Sequence, residues 1–275
     1  MRLCYQSVGD PADPTILLVG GVTSSMDWWP ADLVAALADR GRHVVRYDHR
    51  DTGRSTTCPP GAPDYTGRDL TEDALRVLDA VGAGRAHLVG LSMGGAIVQE
   101  LALEHPDRVA SATLMSTTRA FSAPGDTPLP PPDPALGGSG DGASPDPGDT
   151  AALVEAVVAG DRSYTGRGDF DEARTRAVAA RAVERSIDPT AGANHFTAEP
   201  GAPFEGTLAD LTVPTLVVHG SEDPLFPGHG AALAAEIPGA RLLVLDGVGH
   251  QVAPPSSWDV LLPALVEHTA GRAAG

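Results

Sequence analysis

The run Ala86-His87-Leu88-Val89-Gly90-Leu91-Ser92-Met93-Gly94-Gly95-Ala96-Ile97-Val98 constrains the fold of this chain more than any other stretch. His87 to Val89 is short and apolar, which predicts a buried strand. Gly95 to Leu103 has helical spacing, with Ile97, Val98, Leu101 and Ala102 on one side. Between them stands Gly90-Leu91-Ser92-Met93-Gly94, of the form G-x-S-x-G. The bare pattern means little in a chain with 32 glycines. Set between a strand and a helix, it predicts a sharp turn that lifts a serine hydroxyl above a sheet, at the positive end of a helix. Side chains flanking so tight a turn would clash with the strand and the helix, so glycine is required there.

The rest of the chain alternates in the same way. Residues 2 to 8 and Thr15 to Val19 read as strands, Pro30 to Arg40 as a helix, His43 to Tyr47 as a strand and Leu70 to Val81 as a helix. After the elbow come strands Val109 to Met115 and Val213 to Gly220. The helix Gly230 to Glu236, the strand Arg241 to Leu245 and the helix Trp258 to His268 follow. Such alternation predicts an α/β protein with a mostly parallel, doubly wound sheet and ligands at the carboxyl ends of its strands.

One region breaks the pattern. Residues 121 to 150 hold 8 prolines, 6 glycines and 5 aspartates and no basic residue, a composition that cannot bury a core and predicts a mobile loop. Ala151 to Ala159, Asp169 to Ile187 and a short piece near Thr190 to Thr197 then read as helices. We expect a core at 1–120 and 206–275, interrupted by an inserted helical cap at 121–205.

Three reactive residues fall at expected strand exits: Ser92, Asp223 and His250. His250 is the candidate base for Ser92, and Asp223 the candidate group that orients and stabilises its imidazole. The amides of Met93, after the serine, and of Val22, after the Gly20-Gly21 pair, are the candidate oxyanion donors. Gly21, Trp28, Trp29, Leu225, Phe226 and His195 are candidate substrate contacts, with the Met93 side chain expected beside them. Glu222 is an alternative acid, His219 a packed residue, His105 a helix cap and Asp246 a turn former, and His229, after Pro227-Gly228, is expected in solvent. The polar loop Asp48-His49-Arg50-Asp51-Thr52-Gly53-Arg54-Ser55 reads as structural, with Asp48 and Asp51 pairing with Arg50, Arg54 or loop amides. No His/Cys/Asp spacing fits a metal, and with no lysine in the chain there is no phosphate-binding loop of the lysine type.

Gly90-Leu91-Ser92-Met93-Gly94-Gly95, Ser221-Glu222-Asp223-Pro224 and Gly247-Val248-Gly249-His250, in that order, resemble the α/β-hydrolase superfamily. Gly9-Asp10-Pro11-Ala12-Asp13-Pro14 and Arg46-Tyr47-Asp48-His49-Arg50-Asp51-Thr52-Gly53-Arg54-Ser55-Thr56-Thr57 narrow the resemblance to the actinobacterial aclacinomycin methylesterase-like carboxylesterases, which act on methyl esters of aromatic polyketides. The resemblance covers roughly residues 5–119 and 205–270 and leaves out the cap. It implies the α/β-hydrolase fold, a Ser92–Asp223–His250 triad, a cofactor-free hydrolase and a small-molecule ester substrate. Where that family often has a histidine ahead of the oxyanion glycine, this chain has Val19-Gly20-Gly21-Val22.

A net charge of −17 argues against nucleic acid and against an anionic membrane surface. Two cysteines without a framework and no signal-type apolar segment point to the cytoplasm. The residues leave the oligomeric state open. Three rivals share the pattern. A cofactor-free haloperoxidase or perhydrolase would keep the triad and show peroxide-dependent bromination. An aminopeptidase of the proline iminopeptidase kind would need cap acids such as Glu172, Glu184 or Glu199 for a substrate amine. A non-catalytic binding protein on a hydrolase scaffold would resist serine-reactive probes.

Overall fold

Continuous apolar runs make the centre of the molecule. In the computed structural model, which describes residues 1–120, 127–138, 145–166 and 170–271, seven strands form one sheet. They are β1 (Tyr5–Val8), β2 (Thr15–Val19), β3 (His43–Tyr47), β4 (Ala86–Leu91), β5 (Val109–Met115), β6 (Thr215–Gly220) and β7 (Arg241–Leu245). The order is β1-β3-β2-β4-β5-β6-β7; β1 runs antiparallel to β3 and every other pair is parallel.

A strand buried on both faces needs apolar side chains at every position, and β2 shows why. Leu17 and Val19 face one layer, where α2 (Gly67–Ala80), α3 (Met93–Glu104) and α6 (His229–Glu236) supply Leu78, Leu101 and Leu233. Ile16 and Leu18 face the other, against Leu33 and Leu37 of α1 (Ala31–Ala38) and Leu261 and Leu265 of α7 (Trp258–His268). Each such side chain contributes roughly 1.5–3 kcal/mol by leaving water. The edge strand β7 is half solvated, with Leu242 and Val244 exposed.

Between β5 and β6 the chain forms α4 (Thr150–Tyr164), α5 (Glu172–Arg185) and a 3-10 turn at Ala191–Phe196. Val154 and Val158 of α4 pack on Ala179 of α5. Arg185 at the end of α5 ties this layer to the sheet: its guanidinium reaches Asp27 (2.7 Å) and Asp48 (2.6 Å), both buried. Asp48 also accepts from the amides of Met26 and Arg54, each at 2.9 Å. Within the proline-rich stretch, residues 127–138 are joined to the rest by Asp133 N–H donating to Pro224 O at 2.7 Å. Residues 121–126 and 139–144, also part of the expected mobile loop, lie outside the described residues.

Glu100, on α3, accepts from the Thr71 hydroxyl, and burial pushes its carboxyl up to about 7. The folded form therefore holds a proton more tightly than a free glutamate at 4.5. Its contribution is most favourable below 4.5 and is lost as pH rises through 7, at a cost of roughly 3 kcal/mol above that. Urea unfolding of Glu100→Gln should show a gain of about 1–3 kcal/mol over the parent near pH 8, and little difference near pH 4.5. An equal effect at both would overturn this.

Candidate active site

Ser92 sits at φ +53°, ψ −118°, between the end of β4 and the first turn of α3. The two motif glycines make that turn possible. A Cβ on Gly90 would lie 2.2 Å from Gly94 O, and one on Gly94 would lie 2.2 Å from Val19 O. The serine backbone is fixed from both sides: Ser92 N–H donates to Met115 O (3.0 Å), and the Thr117 hydroxyl donates to Ser92 O (2.7 Å). Its own hydroxyl has no hydrogen-bond partner among the described residues. Ser92 and His250 both line a cavity of about 520 Å³.

Asp223 and His250 are in contact. His250 Nδ1–H donates to Asp223 Oδ2 at 3.0 Å, and the amides of Leu225 and Phe226 donate to Oδ1 at 3.0 and 2.9 Å. Burial works against the Asp223 charge, but the His250 hydrogen bond and the Phe226 amide outweigh it and hold the carboxyl below its usual range. This arrangement fixes the His250 tautomer and leaves Nε2 as the basic nitrogen. The Phe226 ring meets the imidazole edge to face, with centroids 5.2 Å apart.

The His250 turn is also held by the helical layer. His250 N–H donates to Tyr164 O at 2.7 Å. A Cβ on Gly249 would lie 2.2 Å from Tyr164 O, and one on Gly166 would lie 2.2 Å from Gly247 O. The end of α4 and the 247–250 turn thus lie backbone against backbone.

The loop after β2 approaches the serine closely: a Cβ on Gly21 would stand 3.5 Å from Ser92 Cβ. Gly21 and Val22 line the cavity, and Met93 opens α3, so its amide is among the unpaired donors of a helix start. Thr23 follows at φ +61°. Two histidines brace this loop. His49 Nε2–H donates to Gly20 O (3.0 Å), and burial pushes the His49 imidazole down to about 3, so it stays neutral. His195 Nδ1 accepts from Thr23 N–H (3.0 Å) while its Nε2–H donates to Arg50 O (2.8 Å). The sequence places His49 only in a structural polar loop; its position at the exit of β3, beside the exit of β2, is the signal that identifies its role.

Trp28 and Leu225 line the cavity. Several other expectations need correcting. Trp29 is buried in the core between α1 and the sheet, since adjacent side chains on the Met26–Trp28 turn diverge. The Met93 side chain packs against the opposite core layer, and Phe226 covers His250; neither lies on the cavity wall. His195 holds the Thr23 loop from behind instead of lining the cavity. His229 is buried, bonded to Thr118 Oγ1 and Pro130 O at 2.8 Å each, because residues 127–138 cover it. Asp48 and Asp51 bind loop amides as expected, but Arg50 pairs with Asp73 and Asp69. His219 is packed, with Nε2 3.6 Å from Asp223 Oδ2.

His195→Ala leaves the Thr23 amide without its acceptor. The expected loss is about 1–3 kcal/mol of stability. Turnover of any ester should fall roughly tenfold as the loop loosens, checked by thermal melting and steady-state kinetics; unchanged kcat would refute the bracing role.

A family model described as the α/β hydrolase fold matches residues 14–253. The chain is 34% identical to rhodomycin D methylesterase DauP of Streptomyces sp., over 98% of this chain and 95% of that protein. Among solved structures, it is similar to the enol-lactonase of Burkholderia xenovorans, with a TM-score of 0.71 and 27% identity over 98% and 96% of the two chains. An esterase from Rhodococcus sp. shares the fold, with a TM-score of 0.74 at 21% identity over 98% of this chain and 94% of that one. Among the described residues, no group of three His, Cys, Asp or Glu could hold a metal, and no helix is long and apolar enough to cross a membrane.

Proposed function

The chain belongs to the α/β-hydrolase fold family, and from that premise we propose that it is a serine esterase with Ser92, Asp223 and His250 as its triad. The observation that carries this reading is the Asp223–His250 hydrogen bond beside a serine on a strained elbow, with serine and imidazole on one cavity. The chain is an ester hydrolase in the manner of its relatives; the triad and the course of the reaction are our own reading.

His250 Nε2 takes the Ser92 proton as Oγ attacks the ester carbonyl carbon. The amides of Val22 and Met93 receive the oxyanion, where each donor is worth roughly 3 kcal/mol. Collapse breaks the bond to the alkoxy oxygen, which leaves as the alcohol with the proton from His250, and Ser92 keeps the acyl group. Water, deprotonated by His250, then releases the acid and restores the serine. Asp223 holds the imidazole in register and offsets its positive charge when it is protonated.

The layer of α4, α5 and the Ala191–Phe196 turn acts as the cap and shapes the substrate side of the cavity. Trp28, Leu225 and Val157 favour an apolar acyl or alkoxy group. Likeness to two rhodomycin D methylesterases favours a methyl ester of a secondary metabolite. With both cysteines free, the cytoplasm is the fitting compartment.

The test is intact mass after treatment with a fluorophosphonate. One adduct is expected on the parent and none on Ser92→Ala; an unlabelled parent would overturn the reading.

A further inference from the structure

Three carboxylates lie on the cavity wall, Asp51, Asp161 and Asp188, and no arginine does among the described residues. Two of the three have local work. Asp51 takes the Cys58 amide on one oxygen, and the Tyr65 hydroxyl and Asn194 amide on the other. Asp188 closes its own turn by accepting from the Thr190 amide and hydroxyl. Asp161 is different. Its Oδ2 accepts only from the Thr175 hydroxyl, at 3.2 Å, and its Oδ1 has no partner among the described residues. No arginine pairs with it among those residues.

Asp161 shares the inner face of α4 with Val157, Gly160 and Tyr164, opposite Ala179, Ala182 and Val183 of α5. An ionised carboxylate set among apolar groups without a counter-charge is costly. Burial accordingly raises the Asp161 carboxyl above its ordinary value, opposed by the Thr175 hydroxyl and by nearby His250. Among the described residues the protein gains no ion pair from Asp161. Glu172, by contrast, is taken by Arg162 and Arg176, and neither Glu184 nor Glu199 reaches the cavity wall.

We propose that Asp161 is a specificity-determining residue that takes a protonated primary amine carried by the substrate ester. This rests on the esterase reading above. The amine supplies both the counter-charge and the donor for Oδ1, and the surrounding alanines and valines call for an apolar spacer between amine and ester.

Two esters of equal size separate charge from shape: methyl 4-(aminomethyl)benzoate and methyl 4-ethylbenzoate, assayed near pH 8 by release of the acid. The parent should favour the amine ester by about tenfold or more in kcat/KM. Asp161→Asn should remove that preference through KM of the amine ester alone, and Asp161→Glu should restore part of it. No preference in the parent, or equal slowing of both esters by Asp161→Asn, would overturn the proposal. Calorimetry with benzylammonium on Ser92→Ala, which does no chemistry, reads the subsite alone. Binding should weaken at least about tenfold when Asp161→Asn is added; failure to bind Ser92→Ala would also overturn the proposal. If benzylammonium binds as expected but the parent takes no fluorophosphonate, the subsite stands and the esterase reading falls.

Discussion

Ser92→Ala should lower kcat/KM for a responsive ester by roughly 10⁴- to 10⁶-fold, because the acyl-enzyme route is closed and only binding and oxyanion stabilisation remain. The fold should not notice. The Ser92 side chain donates no hydrogen bond among the described residues, and the bonds that fix the turn come from its backbone, at Met115 O and Thr117 Oγ1. Alanine keeps all of them and carries the same φ cost as serine. Melting temperatures of parent and variant should therefore agree within about 2 °C. Steady-state kinetics together with thermal melting decide the matter. Retention of more than about one-hundredth of the parental rate would remove Ser92 from the reaction. A large fall in melting temperature would mean that the serine has a structural role the geometry does not show.

The largest effect on stability should come from Arg185→Ala. Asp27 and Asp48 are 5% and 0% exposed, and Arg185 bridges them. Removing the cation leaves buried carboxylates facing one another without their shared counter-charge, which typically costs about 3–5 kcal/mol. Arg181 still touches Asp27, but its side chain is 63% exposed, so water screens it. For a chain of this size the loss should appear as a fall of roughly 10 °C in melting temperature. Activity should fall too, because Asp48 also holds the amides of Met26 and Arg54 around the exit of β3. Arg174→Ala is the comparison: its pair with Asp32 lies at the surface and should cost no more than about 1 kcal/mol. A loss in Arg185→Ala no larger than that would refute the bridge.

What the sequence disclosed and what it hid divide along physical lines. The strands were legible because burial on both faces demands unbroken apolar runs such as Thr15–Val19. The elbow was legible because two clashes, at Gly90 and Gly94, admit only glycine. The positions of Ser92, Asp223 and His250 at strand ends followed from the strands themselves. Contacts made across long sequence distance were not legible. His229 follows Pro227-Gly228 and looks solvated, yet Pro130, 99 positions earlier, covers it. His195 meets Thr23 across 172 positions. Trp28 and Trp29 are neighbours in sequence, and only the geometry of a short turn sends one to the cavity and the other to the core. Asp161 lies on a helix whose pattern says nothing of which polar residue faces inward.

The backbone contact between Tyr164–Gly166 and Gly247–Gly249 bears on how such a protein can diversify. The turn that carries the imidazole is shaped by a carbonyl belonging to the helical layer over the sheet, so that layer is not an interchangeable cassette. A graft that replaces it wholesale removes the acceptor for His250 N–H and disturbs a residue far from the intended change. Drift at the cavity-lining positions of α4 and α5 outside their buried mutual packing alters what the cavity admits. Lineages retailoring their substrates are therefore expected to vary Val157, Ala182 and Val183, while Ala179, which packs between the two helices, and the segment ending at Gly166 are inherited together.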